Sequence, residues 1–481
     1  MATTPIHPPT AQHAQQDDPA ATAPATTPTR TPRAEASPSL VPSPGVRPAG
    51  DSTGRQPIAA LVRGASVQAH AADHWQPVTA DRLVPQGRSP HGWAGWIAYE
   101  IGHLLEPTST ATGPGQPPGP PRLDPDWGLG GWVALGRPID ARAEGLALDG
   151  DAGQPPGERA VQGRDAGGVD RVQAWPAGPM RSLWGQGGYA RAVARTIGLI
   201  HAGDAYQVNL AHALEGSFAG CPRRLFAALA SRARPALGCY LELPPLADGR
   251  RRAILSLSPE LLVRYDAATR TLTTEPMKGT RPATPQGRGE LSRSPKDRAE
   301  LAMIVDLMRN DLGRVCEVGS VQVRRARMIR RHGPPGQGVW QASARVSGRL
   351  RSGLALHDAL AALLPAGSIT GAPKIRAMQI INQLEPTPRG PYCGAIGRID
   401  PQGNAELAVG IRTAVLVGDR LRYAVGAGIV ADSDPLAEWA ETLAKAGPLR
   451  AAGLAIEDDH AGRRMVAGTI DPGGPIGTAG P

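Results

Sequence analysis

Residues 406–446 read ELAVGIRTAVLVGDRLRYAVGAGIVADSDPLAEWAETLAKA. ELAVGIRTAVLV (406–417) and RLRYAV (420–425) are rich in aliphatic and β-branched residues and read as strand. DSDP then opens a helix, with Asp434 as N-cap and Pro435 at the first helical position. On that helix Glu438, Glu441 and Lys445 recur at spacings of three and four and share one face. The same alternation holds upstream. AILSLS, LLVRYD, TLTTE and SVQVR are short β-rich runs from residue 253 onward, and SPKDRAELAMIVDLMRNDLG (294–313) is helical. There Leu301, Ile304, Val305, Met308 and Leu312 face a core, while Asp297 and Glu300 share a different face. YARAVARTIGLIHAG (189–203) spaces Val193, Ile197 and Ile200 as an amphipathic helix that ends at Gly203.

Outside this patterned part the composition changes. Residues 1–54 are dominated by Pro, Ala, Thr and Ser without hydrophobic periodicity, and read as a disordered tail. An N-terminal region spans 55–147, with core pieces PIAALVRGA (57–65), GWAGWIAYEIGHLL (92–105) and GLGGWVALG (128–136) and a Pro/Gly linker at 106–126. Gly and Pro crowd 148–184, a second linker, before the main domain at 185–457 and a Gly-rich tail at 458–481.

The chain has 481 residues, enough for a large core, and a formal charge of +9. That charge is dispersed; only RRARMIRR (324–331) is dense, and it lacks the interleaved aromatics of a single-strand binder, so a nucleic-acid partner is not expected. Of 52 basic residues only four are lysines, Lys278, Lys296, Lys374 and Lys445. A buried amine can lose its proton and act as nucleophile or base, which a guanidinium cannot, so each lysine is a candidate site as well as a candidate structural cation. The four cysteines, Cys221, Cys239, Cys316 and Cys393, form no CxxC pair and suit a reducing cytoplasm. No apolar run approaches the roughly 18 residues of a membrane span, and the N-terminus has no apolar signal core.

Two helices that each present carboxylates one turn apart could grip a hard cation such as Mg²⁺, although carboxylates on solvated helix faces are common. GAGIVA (426–431) fits the GxGxxA form of a dinucleotide fingerprint, but no helix follows the glycines directly. A glycine turn whose bare amides meet a carboxylate suits Gly426-Ala427-Gly428 better.

Six runs, GDAYQVNLA (203–211), SLSPELLV (256–263), EPMKGTRP (275–282), AELAMIVDLMRNDLGRVCEVGSVQV (299–323), GSITGAPKIRAMQIINQLEPTPRGPYCGAIG (367–397) and GAGIVADSDPLAEWAETLAKA (426–446), resemble the chorismate-binding enzyme family in content and order. Residues 57–136 more loosely resemble the N-terminal part of component I subunits. The resemblance implies an α+β fold of two large antiparallel β-sheets packed together and flanked by helices, with chorismate and Mg²⁺ in a cleft. By matched position it implies Glu300 and Glu441 as magnesium ligands, with Glu438 and Asp297 beside them, directly or through water. Arg412, Tyr392, the amides of Gly426, Ala427 and Gly428, and Lys445 would hold the substrate's carboxylates, and Gly279 and Thr280 would line the ring site. Fork donors, bare amides and a metal are what a dicarboxylate requires.

Two positions divide the family by what attacks the ring. Isochorismate- and salicylate-forming members carry a lysine where this chain has Gln207, and a glutamine cannot act as base for water. Aminodeoxychorismate synthases carry lysine at the position of Lys278, where anthranilate synthases have a small residue. Lys278 is then expected to attack C2 as the C4 hydroxyl leaves, with Glu260 as the acid and ammonia entering at C4. The expectation is 4-amino-4-deoxychorismate formation, with anthranilate formation, or a binding subunit without activity, as alternatives. The chain departs from the family at Gln341, where histidine is usual. None of its cysteines sits in a GxCxGHQ context, so ammonia is expected from a separate glutamine amidotransferase subunit.

Overall fold

A computed structural model describes residues 57–457 except 64–65, 112–116, 147, 149–174, 176 and 334–337. The expected tails at 1–54 and 458–481, and most of the linker at 148–184, lie outside the described residues. The N-terminal region supplies β1 (Ile58–Arg63), β2 (Ser66–Pro77), β3 (Trp93–Ile97), α1 (Ile101–Leu105) and β4 (Gly130–Ile139). Next come β5 (Arg181–Ser182), α2 (Gly185–His201), β6 (Gln207–Ser217), α3 (Pro222–Ala233), β7 (Leu237–Leu243), β8 (Arg252–Ser258), β9 (Leu261–Asp266), β10 (Thr271–Glu275) and β11 (Met277–Pro282). Then follow α4 (Pro285–Arg293), α5 (Pro295–Gly313), β12 (Gln322–His332), β13 (Val339–Arg349), α6 (Leu356–Leu363), β14 (Gly371–Ala372) and α7 (Lys374–Leu384). The chain finishes with β15 (Ala395–Ile399), β16 (Ala405–Val409), β17 (Thr413–Val417), β18 (Arg420–Ile429), α8 (Pro435–Lys445) and α9 (Gly447–Ala451).

The strand pairings between named strands are all antiparallel, and they trace one path. One half runs β6–β18–β17–β8–β7–β1, and the other runs β4–β3–β15–β16–β9–β10–β13. β2 joins them, pairing with β1 and β4, and its register shifts twice between His70 and Trp75. Such irregularities bend and twist a strand, so the two sheets implied by the sequence are two halves of one hydrogen-bonded ribbon.

The halves bury a common core. Ala59, Cys239, Leu241, Ile254, Val415 and Val417 from the first half cluster with Trp96, Val133, Leu135 and Ile396 from the second and with Trp75 of the joining strand β2. Period-two alternation places the neighbours Trp93, Ile97, Ala414 and Leu416 in the other core cluster, under the helices. Strands buried on both faces explain the near-continuous apolar runs. A Cβ on Gly131 would sit 1.9 Å from a Trp75 ring atom, so only glycine fits beneath that indole.

Three local expectations change. ELAVGIRTAVLV is two strands, because β16 pairs with β15 and β9 whereas β17 pairs with β8 and β18. The chain crosses between halves through Gly410–Arg412, with Arg412 at φ +50°. The glycines at 426–428 form no turn: β18 runs through them to Ile429, held by β6. The described parts of 106–126 are not a free linker. Arg122 donates to the carbonyls of Asn382 and Glu385, and Asp126 is buried against Arg250 and Arg420. RRARMIRR lies on β12, a largely exposed strand, as a solvated surface should.

Candidate active site

β6 and β18 form the floor of the site. Gly428 stands opposite Asn209 and Gly426 opposite Ala211, so Gln207, Asn209, Ala211 and the two glycines share one face. On that face a Cβ added to Gly428 would lie 2.9 Å from Lys278 Nζ and 3.2 Å from Gln207 Nε2, and one on Gly426 would lie 3.0 Å from the Tyr392 hydroxyl. The glycines are therefore space left for side chains that reach over the strand. The amides of Asn209 and Ala211 donate away from β18, to Thr370 O and Glu385 Oε1. Gly428 and Gly426 thus belong to the non-hydrogen-bonded pairs and aim their own N–H and C=O at the open edge, while Ala427 is turned toward β6. Lys445 Nζ reaches that edge and donates to Gly426 O at 2.6 Å.

Lys278 enters from β11. It is largely buried, donates from Nζ to Gln207 Oε1 at 3.2 Å, and lies 3.6 Å from Glu300 Oε2 on α5. Burial lowers its pKa, opposed in part by the Glu300 carboxylate. Lys296, one turn before Glu300, comes within 3.9 Å of it from the solvent side. Glu260 is 4% exposed at the start of the β9 hairpin, and burial pushes its carboxyl up to about 7 against the Ser368 hydroxyl and Lys278. Ser368 Oγ donates to Glu260 Oε1 at 2.6 Å. The sequence reading missed Ser368, although it stands inside the quoted run GSITGAPK.

The sequence-derived carboxylates are gathered unevenly. Glu441 on α8 pairs with Lys445 at 2.8 Å, and Glu438 accepts from Ser433 Oγ at 2.6 Å. Burial works toward neutral acids at both; it prevails at Glu438, whereas Lys445 and the other lysines hold Glu441 below its ordinary value. Lys296 of α5 acts electrostatically on both glutamates of α8, so the two helices face one another across the site. Asp297 does not face that gap: its Oδ1 would lie 2.7 Å from a Cβ on Gly279, and Oδ2 accepts from Arg281 at 3.0 Å. Among the described residues no three His, Cys, Asp or Glu side chains converge on one point. Glu300 and Glu441, opposed and each matched by lysine, suit a hexacoordinate cation that takes one or two protein carboxylates and completes its shell elsewhere; they do not form a cage.

Arg412 is half-buried at the crossover from β16 to β17, and its guanidinium has no carboxylate or hydrogen-bond partner among the described residues; partial burial lowers its pKa. A half-buried guanidinium that no carboxylate neutralises can take up an anion. Thr280 lies on β11 opposite Gln341 of β13, which donates from Nε2 to Thr280 Oγ1 at 3.3 Å and leaves a buried Oε1 unpaired.

Comparison with known proteins follows the same lines. The profile of the chorismate binding enzymes matches residues 45–451. Anthranilate synthase component 1 of Streptomyces coelicolor is 35% identical over 421 residues, 82% of this chain and 77% of that protein. Aminodeoxychorismate synthase of Streptomyces griseus is 40% identical over 296 residues, 60% of this chain and 39% of that protein. Aminodeoxychorismate synthase component 1 of Escherichia coli is 40% identical over 252 residues, 51% of this chain and 53% of that protein. The crystal structure of anthranilate synthase component I from Streptococcus pneumoniae shares the fold, with a TM-score of 0.58 and 23% identity over 89% of this chain and 95% of that one.

Proposed function

We propose a C4 amination for this chain, which belongs to the chorismate-binding enzyme family: chorismate and ammonia give 4-amino-4-deoxychorismate and water, the reaction of an aminodeoxychorismate synthase component I. The observation that carries the reading is the contact between Lys278 Nζ and Gln207 Oε1 on the site floor. An amine stands where a nucleophile is needed, and the residue it faces is an amide that cannot deprotonate water.

Lys278, as the free amine, adds through Nζ to C2; both ring double bonds shift by one position toward C4 and the C4–O bond breaks. Glu260 gives its proton to the departing hydroxyl, which leaves as water. Ammonia then adds at C4, both double bonds shift back, and the bond from Lys278 to C2 breaks, restoring the amine. Arg412, the Tyr392 hydroxyl, Lys445 and the open-edge amides of Gly426 and Gly428 hold the two carboxylates, while Gly279 and Thr280 flank the ring. Glu300 and Glu441 would hold Mg²⁺, with Glu438 and, further back, Asp297 in support; bound there, the ion supplies positive charge against a substrate carboxylate. Ammonia would come from a glutamine amidotransferase subunit in the cytoplasm, and p-aminobenzoate is the product downstream.

Anthranilate formation is the second reading, favoured by the 35% identity to the Streptomyces coelicolor anthranilate synthase component 1. It requires loss of the pyruvyl group and proton transfers that Gln341 cannot make. Purified protein supplied with chorismate, Mg²⁺ and ammonium separates the readings by mass spectrometry of the product: 4-amino-4-deoxychorismate is expected, and anthranilate overturns the proposal. Chorismate binding without turnover would instead identify a binding subunit.

A further inference from the structure

Eight buried side-chain polar atoms among the described residues lack a hydrogen-bond partner, and three of them, Gln207 Nε2, Asn209 Nδ2 and Gln341 Oε1, belong to amides at or beside this one site. An unmet buried amide is costly, and one that persists at a site marks the place of a ligand atom. Gln207 and Asn209 are two apart on β6 and project from the same face. The orientation of Gln207 is set by Lys278: an ammonium or amine needs an acceptor, so Oε1 turns to Nζ and Nε2 is left as a donor. Asn209 is 9% exposed, and its own backbone is fully occupied, N–H by Thr370 O and C=O by Arg389 Nη2. Its partner across the strands is Gly428, which has no side chain to meet the amide. Asn209 thus stands mid-floor, between Lys278 and Gln207 on one side and the Tyr392 hydroxyl over Gly426 on the other.

We infer that Asn209 is a substrate-binding residue: its Nδ2–H group, in line with Gln207 Nε2, donates to a carboxylate oxygen of the substrate lying across the floor between Lys278 and Tyr392. This rests on chorismate being the substrate. Two donors fit an acceptor, and of the groups on chorismate a carboxylate offers two oxygens and the strongest acceptance. Acceptance by a carboxylate would meet both unmet donors at once, which a single hydroxyl oxygen would not.

The test uses Asn209→Leu, which keeps the branched shape and removes the amide, with Asn209→Ala as a second variant should leucine pack badly. Chorismate binding is measured by titration calorimetry, steady-state kinetics with ammonium gives KM and kcat, and thermal unfolding gives stability. The expected result is affinity weakened about tenfold to a hundredfold, as for loss of one hydrogen bond to a charged group, with more of the loss in KM than in kcat. The unfolding temperature of the unliganded variant is expected to equal or exceed that of the wild type, because an unmet polar group has been removed. A purely structural asparagine gives the opposite pattern, a lower unfolding temperature with unchanged affinity, and that outcome overturns the inference. Unchanged affinity at unchanged stability overturns it as well. Wild-type protein that fails to bind chorismate overturns the reaction assigned above together with this inference, whereas wild-type binding matched by both variants sinks this inference alone.

Discussion

Helix α5 meets a lysine near each end, and the two meetings differ. At the C-terminal end Lys374 Nζ lies 2.6 Å from Asp311 Oδ2, with the side chains 10% and 3% exposed. At the N-terminal end Lys278 Nζ stands 3.6 Å from Glu300 Oε2 and spends its hydrogen bond on Gln207. A short, fully desolvated pair is complete in itself, and it ties α7 and the loop before it to α5. The looser pair keeps its charges within reach of a third group, beside the unmet amides of Gln207 and Asn209. The same pairing of amine and carboxylate is closed at one end and open at the other, and under the proposed amination the open one carries the chemistry; the difference lies in what remains unsatisfied.

Lys278→Ala should break the contrast most severely. Amination of chorismate is expected to fall by about 10³-fold or more in kcat, the order associated with removal of a nucleophile or its activating group, with little change in unfolding temperature. Retained amination would show that the lysine is not the nucleophile. Lys374→Met tests the other end. It leaves Asp311 buried and unpaired, and urea unfolding should report a loss of about 3–5 kcal/mol, most of it recovered in the double variant Lys374→Met/Asp311→Leu. A single variant as stable as the wild type would remove Lys374 from the structural role.

Acid chemistry gives a smaller, graded effect. With Glu260 pushed up to about 7 by burial, kcat should decline about tenfold per pH unit above that value as the proton to be donated is lost. Ser368→Ala removes a hydrogen bond that favours the carboxylate, so the falling limb should move to higher pH; a limb that stays in place would dissociate it from Glu260. The smallest effect concerns Glu100, also pushed up to about 7 by burial although it accepts from the amides of Arg389 and Gly390. The folded chain retains this proton where the unfolded chain, with a carboxyl near 4.5, has released it. That contribution to stability is complete below about pH 4.5 and is lost as pH rises through about 7. Glu100→Gln should therefore flatten the decline in urea-unfolding stability between pH 5 and 8, by at most about 1.4 kcal/mol per pH unit; an unchanged slope would assign the decline to other groups.

Much of this was legible in the chain itself. The cap at Asp434, the buried stripe from Leu301 to Leu312 and the end of α2 near Gly203 depend on residues within a few positions of each other, and they stand where periodicity and capping put them. The candidate residues were equally visible, because four lysines among so many arginines are conspicuous and the quoted runs are distinctive. Asn209 lay in view within DAYQVNL, yet nothing local marks an asparagine as unmet; that follows only from the glycine opposite it and from partners that occupy its backbone.

Residue chemistry, helix limits and strand-forming runs were thus determined by the sequence, since they arise from short-range sterics and hydrogen bonding. Tertiary structure alone decided that ELAVGIRTAVLV divides at Gly410–Arg412, that Gly426–Gly428 continues a strand, and that Asp297 turns beneath Gly279. It also decided which lysine is closed and which is open. Each of those outcomes depends on a neighbour tens to hundreds of residues away, supplied by a ribbon that folds back on itself, and no local pattern encodes which neighbour that will be.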